Sequence, residues 1–262
     1  MVALELGYAA GADACEIDVQ FSRDGQVVVI HDESLERTTD VARRFAGDSR
    51  GTEGFLVRDF DLDEIRTLDA GSWFVSAHSS HRNAAHFGTL DRINPQRLQV
   101  YQSGGIRIPT LLEVLKRVRA LNWLVNVEIK VDENTSGSAL LDRVLGEILE
   151  TETDERVLIS SFDPAIVAEA SRRQRTATGF LTETAIPEPR RYVRDVLHAD
   201  FYHLSVQALG ASTHPGVPVF VYTVNDAAEG GKADHLISWP VDGVFTDDPA
   251  ALLARFDVLR TN

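Results

Sequence analysis

The sequence predicts an α/β protein with a parallel sheet of the (β/α)8-barrel type. Apolar, strand-like runs alternate with helix-like segments and are joined by short loops, an order that is typical of βαβ units. Polar residues recur where the predicted strands end, and in such barrels those ends form the catalytic face. A barrel commonly takes about 250 residues. We therefore expect one domain that spans residues 1–262.

The chain is expected to open with a helix followed by two short strands. Residues 1–11 have helical composition and end in a glycine, which suits a helix C-terminus. Polar and apolar residues alternate strictly over residues 16–22, which predicts a strand. Residues 24–25 are Asp-Gly, a turn sequence. Residues 27–30 form a second apolar run that leads directly to His31.

Residues 45–107 are the least regular part of the chain. We interpret them as an insertion that follows the second strand region, because loops between strands and helices are where length variation concentrates. One short helix is predicted within it, at residues 62–68. The irregular segment also contains His78, His81 and His86. Histidines at HxxH-type spacing can bind a transition metal, but no predicted helix would fix two of these rings.

Regular alternation resumes after residue 107. Helices are predicted at residues 111–120, 138–151, 164–174, 189–198 and from 249, and strands at 123–130, 157–162, 177–182, 201–205, 217–224 and 243–246. Thr110 and Asp163 are N-cap residues for two of these helices, and Pro164 suits a first helical position. The total is seven main strands plus the short run at residues 27–30.

Composition excludes several classes of protein. The chain has 26 Lys and Arg against 40 Asp and Glu, a formal charge of −14, which repels nucleic acid and anionic membrane surfaces. No run is long enough to span a membrane and no signal peptide is apparent, so we expect a cytoplasmic protein without stable membrane insertion. The single cysteine, Cys15, excludes an internal disulfide and is expected to be a core residue.

Three carboxylates form a candidate cation site. Glu16 and Asp18 share one face of a strand with Cα atoms about 7 Å apart, although any half-solvated strand shows the same alternation. Glu128 and Lys130 lie in the apolar run WLVNVEIK, where they must pair with each other or serve a ligand. An oxygen-only set of ligands suits Mg²⁺ or Ca²⁺ better than zinc.

His31 is the candidate group for proton transfer. It closes an apolar strand, and an imidazole in such a position can act as a general acid or base near neutral pH. A lone histidine is more often structural, so this pattern by itself leaves both roles open.

Longer motifs give the chain a family resemblance. The run GADACEIDVQFSRDGQVVVIHDESLERTT, followed in order by IPTLLEVL, VEIK, SSFD, VYTVN and VDGVFTDDP, resembles the glycerophosphodiester phosphodiesterase family over essentially the whole chain. The resemblance implies a TIM barrel that uses a divalent cation. It also implies hydrolysis of glycerophosphodiesters, small molecules of lipid and glycerol metabolism, to glycerol 3-phosphate and an alcohol.

The resemblance also implies roles for individual residues. The positions that match the family's cation ligands are Glu16, Asp18 and Glu128. His31 matches one of two catalytic histidines, and Lys130 matches a catalytic, substrate-binding residue close to the phosphate. Tyr222 stands where the family usually has a tryptophan that forms an aromatic wall of the substrate site.

One departure from the family pattern is large. The family's barrel begins with a strand that carries His-Arg-Gly, followed by Pro-Glu-Asn-Thr, and no position in this sequence matches either motif. We therefore expect a missing first strand, a missing second catalytic histidine and reduced turnover. The alternatives are a non-catalytic barrel that binds a phosphodiester or cation, and a related phosphodiesterase of the phospholipase C or sphingomyelinase type.

Overall fold

The computed structural model describes residues 1–76, 93–131, 136–209, 216–228, 230–237, 239 and 241–261. Its strands are β1 (Ala14–Phe21), β2 (Val27–Val29), β3 (Leu124–Ile129), β4 (Val157–Ser161), β5 (Ala177–Thr182), β6 (Phe201–Ser205), β7 (Val219–Tyr222) and β8 (Gly243–Val244). They form one mixed sheet in the order β2-β1-β3-β4-β5-β6-β7-β8. The hairpin of β1 and β2 is antiparallel, and neighbouring strands from β3 to β8 pair in parallel.

The helices follow the predicted order. They are α1 (Val2–Ala9), α2 (Val41–Arg44), α3 (Leu62–Ile65), α4 (Ser72–Val75), α5 (Pro95–Gln102), α6 (Leu111–Leu121), α7 (Gly137–Thr151), α8 (Pro164–Arg173), α9 (Lys232–Ile237) and α10 (Pro249–Thr261). Helices α2, α4, α5 and α9 were not predicted from the sequence. The helix expected at residues 189–198 is a π-helix, Arg191–Val196, in which the amide of Leu197 donates to the carbonyl of Tyr192. No helix in the described ranges is long and apolar enough to cross a membrane.

The described chain divides into two compact units. The first comprises residues 1–5, 17–122 and 130–152. Its core includes a buried cluster to which the irregular segment 45–107 contributes Phe55, Phe60, Ile65 and Leu68. The assignment of that segment as an insertion stays a prediction. The three histidines of the HxxH-type segment, His78, His81 and His86, lie outside the described residues.

Helix α6 illustrates how the sequence sets an element of the first unit. Thr110 accepts a hydrogen bond from the amide of Glu113, whose carboxylate accepts one from the amide of Thr110. Such a capping box satisfies backbone donors that the first helical turn leaves without partners. The predicted Thr110 cap is therefore confirmed. Beyond the cap, the helix buries Leu111, Leu115 and Val118.

The second unit comprises residues 6–16, 123–129 and 153–262. A fully buried histidine, His203 on β6, stacks on Phe220 with the ring planes 16° apart. Neither of its nitrogens has a hydrogen-bond partner among the described residues, and burial lowers the pKa of His203 to about 3. An ideal Cβ at Gly179 would lie 2.6 Å from Nε2 of His203. The imidazole is therefore neutral and packs directly over a glycine.

We predict that Gly179→Ala destabilises the protein, because the added methyl overlaps a ring that cannot move towards solvent. Overpacking of this kind costs about 1–3 kcal/mol of unfolding free energy, measured by urea denaturation. Gly146→Ala is the matched control. A Cβ at Gly146, in α7, meets no described atom within 4 Å beyond its own helix, so this variant should be about 0.5–1 kcal/mol more stable than wild type. Equal stability of the two variants would contradict the packing argument.

Candidate active site

The three predicted carboxylates lie together. One oxygen from each of Glu16, Asp18 and Glu128 can be chosen so that all three lie within 4.8 Å of one another. Glu16 and Asp18 share a face of β1 because they are two residues apart, and β3, which carries Glu128, is the neighbouring strand. Glu128 is buried, Asp18 is half-buried and Glu16 is exposed. This oxygen-only donor set fits a hard divalent cation.

Lys130 adds a positive charge to this cluster. Its Nζ lies 3.0 Å from Oδ1 of Asp18. Sequence analysis considered a pair between Glu128 and Lys130 and did not foresee the contact with Asp18. Three carboxylates and one ammonium leave a formal charge of −2, which one divalent cation would cancel.

A cavity of about 490 Å³ lies beside Lys130. Its lining residues are Gln20, Phe21, His31, Asp32, Glu33, Ser34, Arg58, Lys130 and Val131. The volume suits a small-molecule ligand. The structure thus places His31 and Lys130, two of the sequence-predicted site residues, on the wall of one cavity, whereas Tyr222 is not among its lining residues.

Gln20 holds the backbone that carries His31. Its Nε2 lies within hydrogen-bond distance of three successive carbonyl oxygens, at 3.0 Å from Ile30, 3.1 Å from His31 and 2.9 Å from Asp32. The Gln20 side chain comes from β1, and the residue is 9% exposed. The amide of Ile30 donates to the carbonyl of Asp18 at 3.0 Å. These contacts fix the segment after β2 against the strand that carries Asp18.

Asp32 joins His31 to Arg37. Nδ1 of His31 lies 2.7 Å from Oδ1 of Asp32. Arg37 donates from Nη2 to the same oxygen at 2.6 Å and from Nε to Oδ2, so its guanidinium grips the carboxylate with both arms. The hydrogen bonds from Arg37, with a smaller contribution from His31, hold the pKa of Asp32 at about 2 against the opposing effect of burial. Asp32 is therefore a carboxylate at neutral pH.

Tyr222, on β7, forms part of an aromatic pair with Phe162 in an edge-to-face arrangement. Its hydroxyl donates to the carbonyl of Thr182 at 2.9 Å. Burial, followed by the nearby charges of Glu183 and Glu128, raises the pKa of Tyr222 to about 12. The hydroxyl is thus protonated at neutral pH and engaged with the backbone, and the ring presents an aromatic surface.

The cysteine differs from its prediction in one respect. Cys15 is partly exposed and is not a full core residue, because it lies near the start of β1. Its thiol contacts the carbonyl of Leu124 at 3.7 Å. Burial of the thiol raises the pKa of Cys15 to about 12, so it is not poised as a nucleophile.

Sequence analysis assigned no role to Gln20, Asp32, Arg37 or Arg58. The signal for Gln20 was present, because it continues the polar face of Glu16 and Asp18 along β1. Asp32 and Arg37 occur in the HDESLERTT motif, but the spacing does not show that Arg37 turns back onto Asp32. Arg58 lies in the irregular segment, where no periodicity indicates which side chains face the cavity.

Comparisons with known proteins place the chain among its relatives. Residues 1–251 match the family model described as the glycerophosphoryl diester phosphodiesterase family. A glycerophosphodiester phosphodiesterase from Caldanaerobacter subterraneus subsp. tengcongensis is 31% identical over 93% of this chain and 85% of its own length. One from Bacillus altitudinis is 28% identical over 95% of this chain and 88% of its own length.

Solved structures show the same fold. A phosphodiesterase from Oleispira antarctica, in complex with the product sn-glycerol-3-phosphate, has a TM-score of 0.68 at 25% identity and covers 97% of this chain and 89% of its own. A glycerophosphodiester phosphodiesterase from Agrobacterium tumefaciens has a TM-score of 0.65 at 23% identity, covering 95% of this chain and 90% of its own. The predicted α/β fold of the TIM-barrel type is confirmed.

We predict that Gln20→Met destabilises the protein by about 1–3 kcal/mol, because three carbonyl groups lose the donor that the buried amide supplies. The measurement is the free energy of unfolding from urea denaturation. Gln26→Met is the matched control, since Gln26 lies on the same hairpin and bonds Ser22 through its backbone. That control should stay within about 0.5 kcal/mol of wild type. A Gln20 variant as stable as the control would show that water replaces the amide without cost.

Proposed function

The chain belongs to the glycerophosphoryl diester phosphodiesterase family, and on that premise we propose that it hydrolyses glycerophosphodiesters to glycerol 3-phosphate and an alcohol. The enzyme class follows from the family, which consists of phosphoric diester hydrolases. The observation that carries the proposal is the convergence of the Glu16, Asp18 and Glu128 carboxylates. The motif resemblance implies that these three residues match the family's cation ligands. The bound product in the Oleispira antarctica relative supports the same substrate class.

The proposed cofactor is a divalent cation, Mg²⁺ or Ca²⁺, held by Glu16, Asp18 and Glu128. A cation of charge +2 would neutralise the formal charge that the three carboxylates and Lys130 leave. When bound, it supplies Lewis acid chemistry towards phosphoryl oxygens. The ligands would also be relieved of their mutual repulsion, which is a strong driving force for binding in a cluster this compact.

The remaining proposed roles belong to Lys130 and His31, which line the cavity, and to Tyr222, which is not among its lining residues. Lys130 binds a phosphate oxygen in this proposal, which is supported by the contact of its ammonium with Asp18 and by its position in the cavity lining. His31 exchanges a proton either with the attacking hydroxyl, which is a glycerol hydroxyl of the substrate or a water, or with the leaving alcohol. Tyr222 contributes an aromatic surface for substrate.

Residues 1–262 contain no position that matches the family's second catalytic histidine. We therefore propose that a polypeptide of these residues alone is impaired. A single acid or base group contributes about 10² to 10⁴ in rate, so turnover should rise by about that factor when a His-Arg-Gly segment is supplied upstream.

The expectation of a cytoplasmic protein stays a prediction.

Calorimetric titration with Mg²⁺ and with Ca²⁺ tests the cation site without requiring activity. Asp18→Asn and Glu128→Gln should each weaken the affinity by more than about tenfold, the loss that even an outer-shell partner of a metal site can cause. Asp63→Asn is the matched control, because it removes the same charge from an exposed position on α3. Affinity unchanged in Asp18→Asn, Glu128→Gln and Glu16→Gln alike would remove these residues from the site.

Hydrolysis of glycerophosphocholine, followed as release of glycerol 3-phosphate in the presence of either cation, tests the reaction. His31→Asn should lower kcat by about 10² to 10⁴ relative to the parent protein. His198→Asn should leave kcat unchanged. It is a suitable control because His198 is exposed and its left-handed backbone, with φ of 58°, tolerates asparagine.

The same assay separates the alternatives. Cation binding without release of glycerol 3-phosphate, even when the upstream segment is supplied, would favour a non-catalytic barrel. Activity confined to intact phospholipids or sphingomyelin would favour the phospholipase C or sphingomyelinase type and would contradict the proposed substrate class.

A further inference from the structure

The ring of His31 has little to hold it in place except Asp32. The side chain is 64% exposed, although the backbone beneath it is fixed by Gln20. Among the described residues, its hydrogen-bond contact is the one between Nδ1 and Oδ1 of Asp32, at 2.7 Å. An exposed imidazole without such a contact would rotate and would exchange its hydrogen between the two nitrogens. The orientation of the ring therefore depends on what Asp32 can accept.

Asp32 can only accept hydrogen bonds in this setting. Arg37 donates to both of its oxygens, and a guanidinium has donors but no acceptor. The pKa of Asp32, about 2, keeps the group ionised at neutral pH. A carboxylate that faces Nδ1 of His31 requires a hydrogen on that nitrogen. The neutral ring must then carry its lone pair on Nε2.

We propose that Asp32 and Arg37 are positioning residues that lock His31 in the Nδ1–H tautomer, so that Nε2 is the atom that exchanges protons with the substrate. This inference rests on the proposed function of His31. It assigns the choice of the proton-transferring nitrogen to two side chains that are not among the proposed cation ligands. Orientation of a general base by a buried carboxylate has precedent in hydrolytic triads.

Arg37 has a separate part in this arrangement. It is about one-third exposed, and its guanidinium lies 5.8 Å from the centre of the Trp73 ring, on α4. The bidentate hydrogen bonds from Arg37, whose guanidinium also contacts Trp73, hold the Asp32 carboxylate in one orientation. Arg37 also offsets the charge of Asp32 beside a cavity whose other charged wall residues are Glu33, Arg58 and Lys130. Arg37 therefore fixes Asp32, and Asp32 fixes His31.

A purely structural role for the pair is the competing explanation. The loop after Asp32 already has other attachments, since Ser34 Oγ donates to the carbonyl of Gly54 at 2.6 Å and the amide of Leu35 donates to the carbonyl of Phe55 at 3.0 Å. Loss of the pair should therefore leave the loop folded and release the ring. The tautomer of His31 distinguishes the two roles. If the Asp32–Arg37 pair only held the loop in place, its loss would not change which nitrogen of His31 carries the hydrogen.

The test is ¹⁵N NMR of the histidine side chains in the whole chain under alkaline conditions, with the His31 signals assigned by comparison with His31→Asn. The wild-type protein should show hydrogen on Nδ1. Asp32→Asn should lose this preference. Both oxygens of Asp32 accept hydrogen bonds, from Arg37 and from His31, whereas an asparagine side chain has only one oxygen and an NH2 group in the other position. The His31 ring of this variant should shift towards the Nε2–H form that histidine prefers in water. Arg37→Gln should weaken the preference in the same direction.

Arg43→Gln is the matched control. Arg43 forms a single-bond pair with Asp40 at 2.5 Å on the same segment, and the described contacts of that pair do not include His31. This variant should keep the wild-type tautomer. Thermal unfolding of all variants establishes that they are folded. A wild-type ring with bare Nδ1, or a tautomer unchanged in both Asp32→Asn and Arg37→Gln, would overturn the proposal.

Kinetics separate this inference from the proposed function. If His31 transfers protons through Nε2, Asp32→Asn should lower kcat by about 10- to 10⁴-fold with little change in KM. Normal kcat in this variant would refute the positioning role and leave the hydrolase assignment intact. A wild-type protein with the predicted tautomer that never releases glycerol 3-phosphate would refute the assignment instead, since the NMR result needs no substrate.

Discussion

The bonds from the Gln20 side chain to three successive carbonyl groups are the contacts on which the candidate site depends. Strand β2 ends at Val29, so the carbonyls of the next three residues leave the sheet ladder while still close to the core. Partly buried carbonyls without donors would be costly, and the two N–H groups of one side-chain amide from the adjacent strand are shared among the three oxygens. The turn that results brings His31 over the strand that carries Asp18. A two-strand hairpin therefore carries both the proposed proton-transfer group, His31, and two of the proposed cation ligands, Glu16 and Asp18.

The local features of the site could be predicted from the sequence because they depend on strand periodicity alone. Glu16 and Asp18 share a face since they are two residues apart, and His31 follows a strand end that an apolar run and an Asp-Gly turn define. The predicted strands at residues 177–182 and 201–205 coincide with β5 and β6 for the same reason. Glu128 entered the candidate cation site because a carboxylate in an apolar strand needs a partner or a ligand, and the motif resemblance supported that choice, although no local pattern links Glu128 to β1.

Other features could not be predicted because they depend on contacts between segments far apart in the chain. The pairing of Lys130 with Asp18 requires the register between strands that are separated by more than a hundred residues. In the irregular segment, Phe60 is buried although no helix or strand period marks it, and the guanidinium of Arg50 lies 3.7 Å above its ring. Short turns bury such residues one at a time, so hydrophobic periodicity gives no signal there. The π-helical hydrogen bond, from the amide of Leu197 to the carbonyl of Tyr192 five residues earlier, likewise has no sequence signature.

The buried ring of His203 makes the second unit sensitive to acid. Its pKa of about 3 in the folded protein lies below the value of about 6.5 expected for an unfolded chain, so the unfolded state binds a proton first as the pH falls. The stability associated with the neutral ring is fully present above about pH 6.5 and is lost progressively between that pH and about 3. A core position that serves no predicted catalytic purpose thus makes the stability of its unit decrease as the medium becomes acidic.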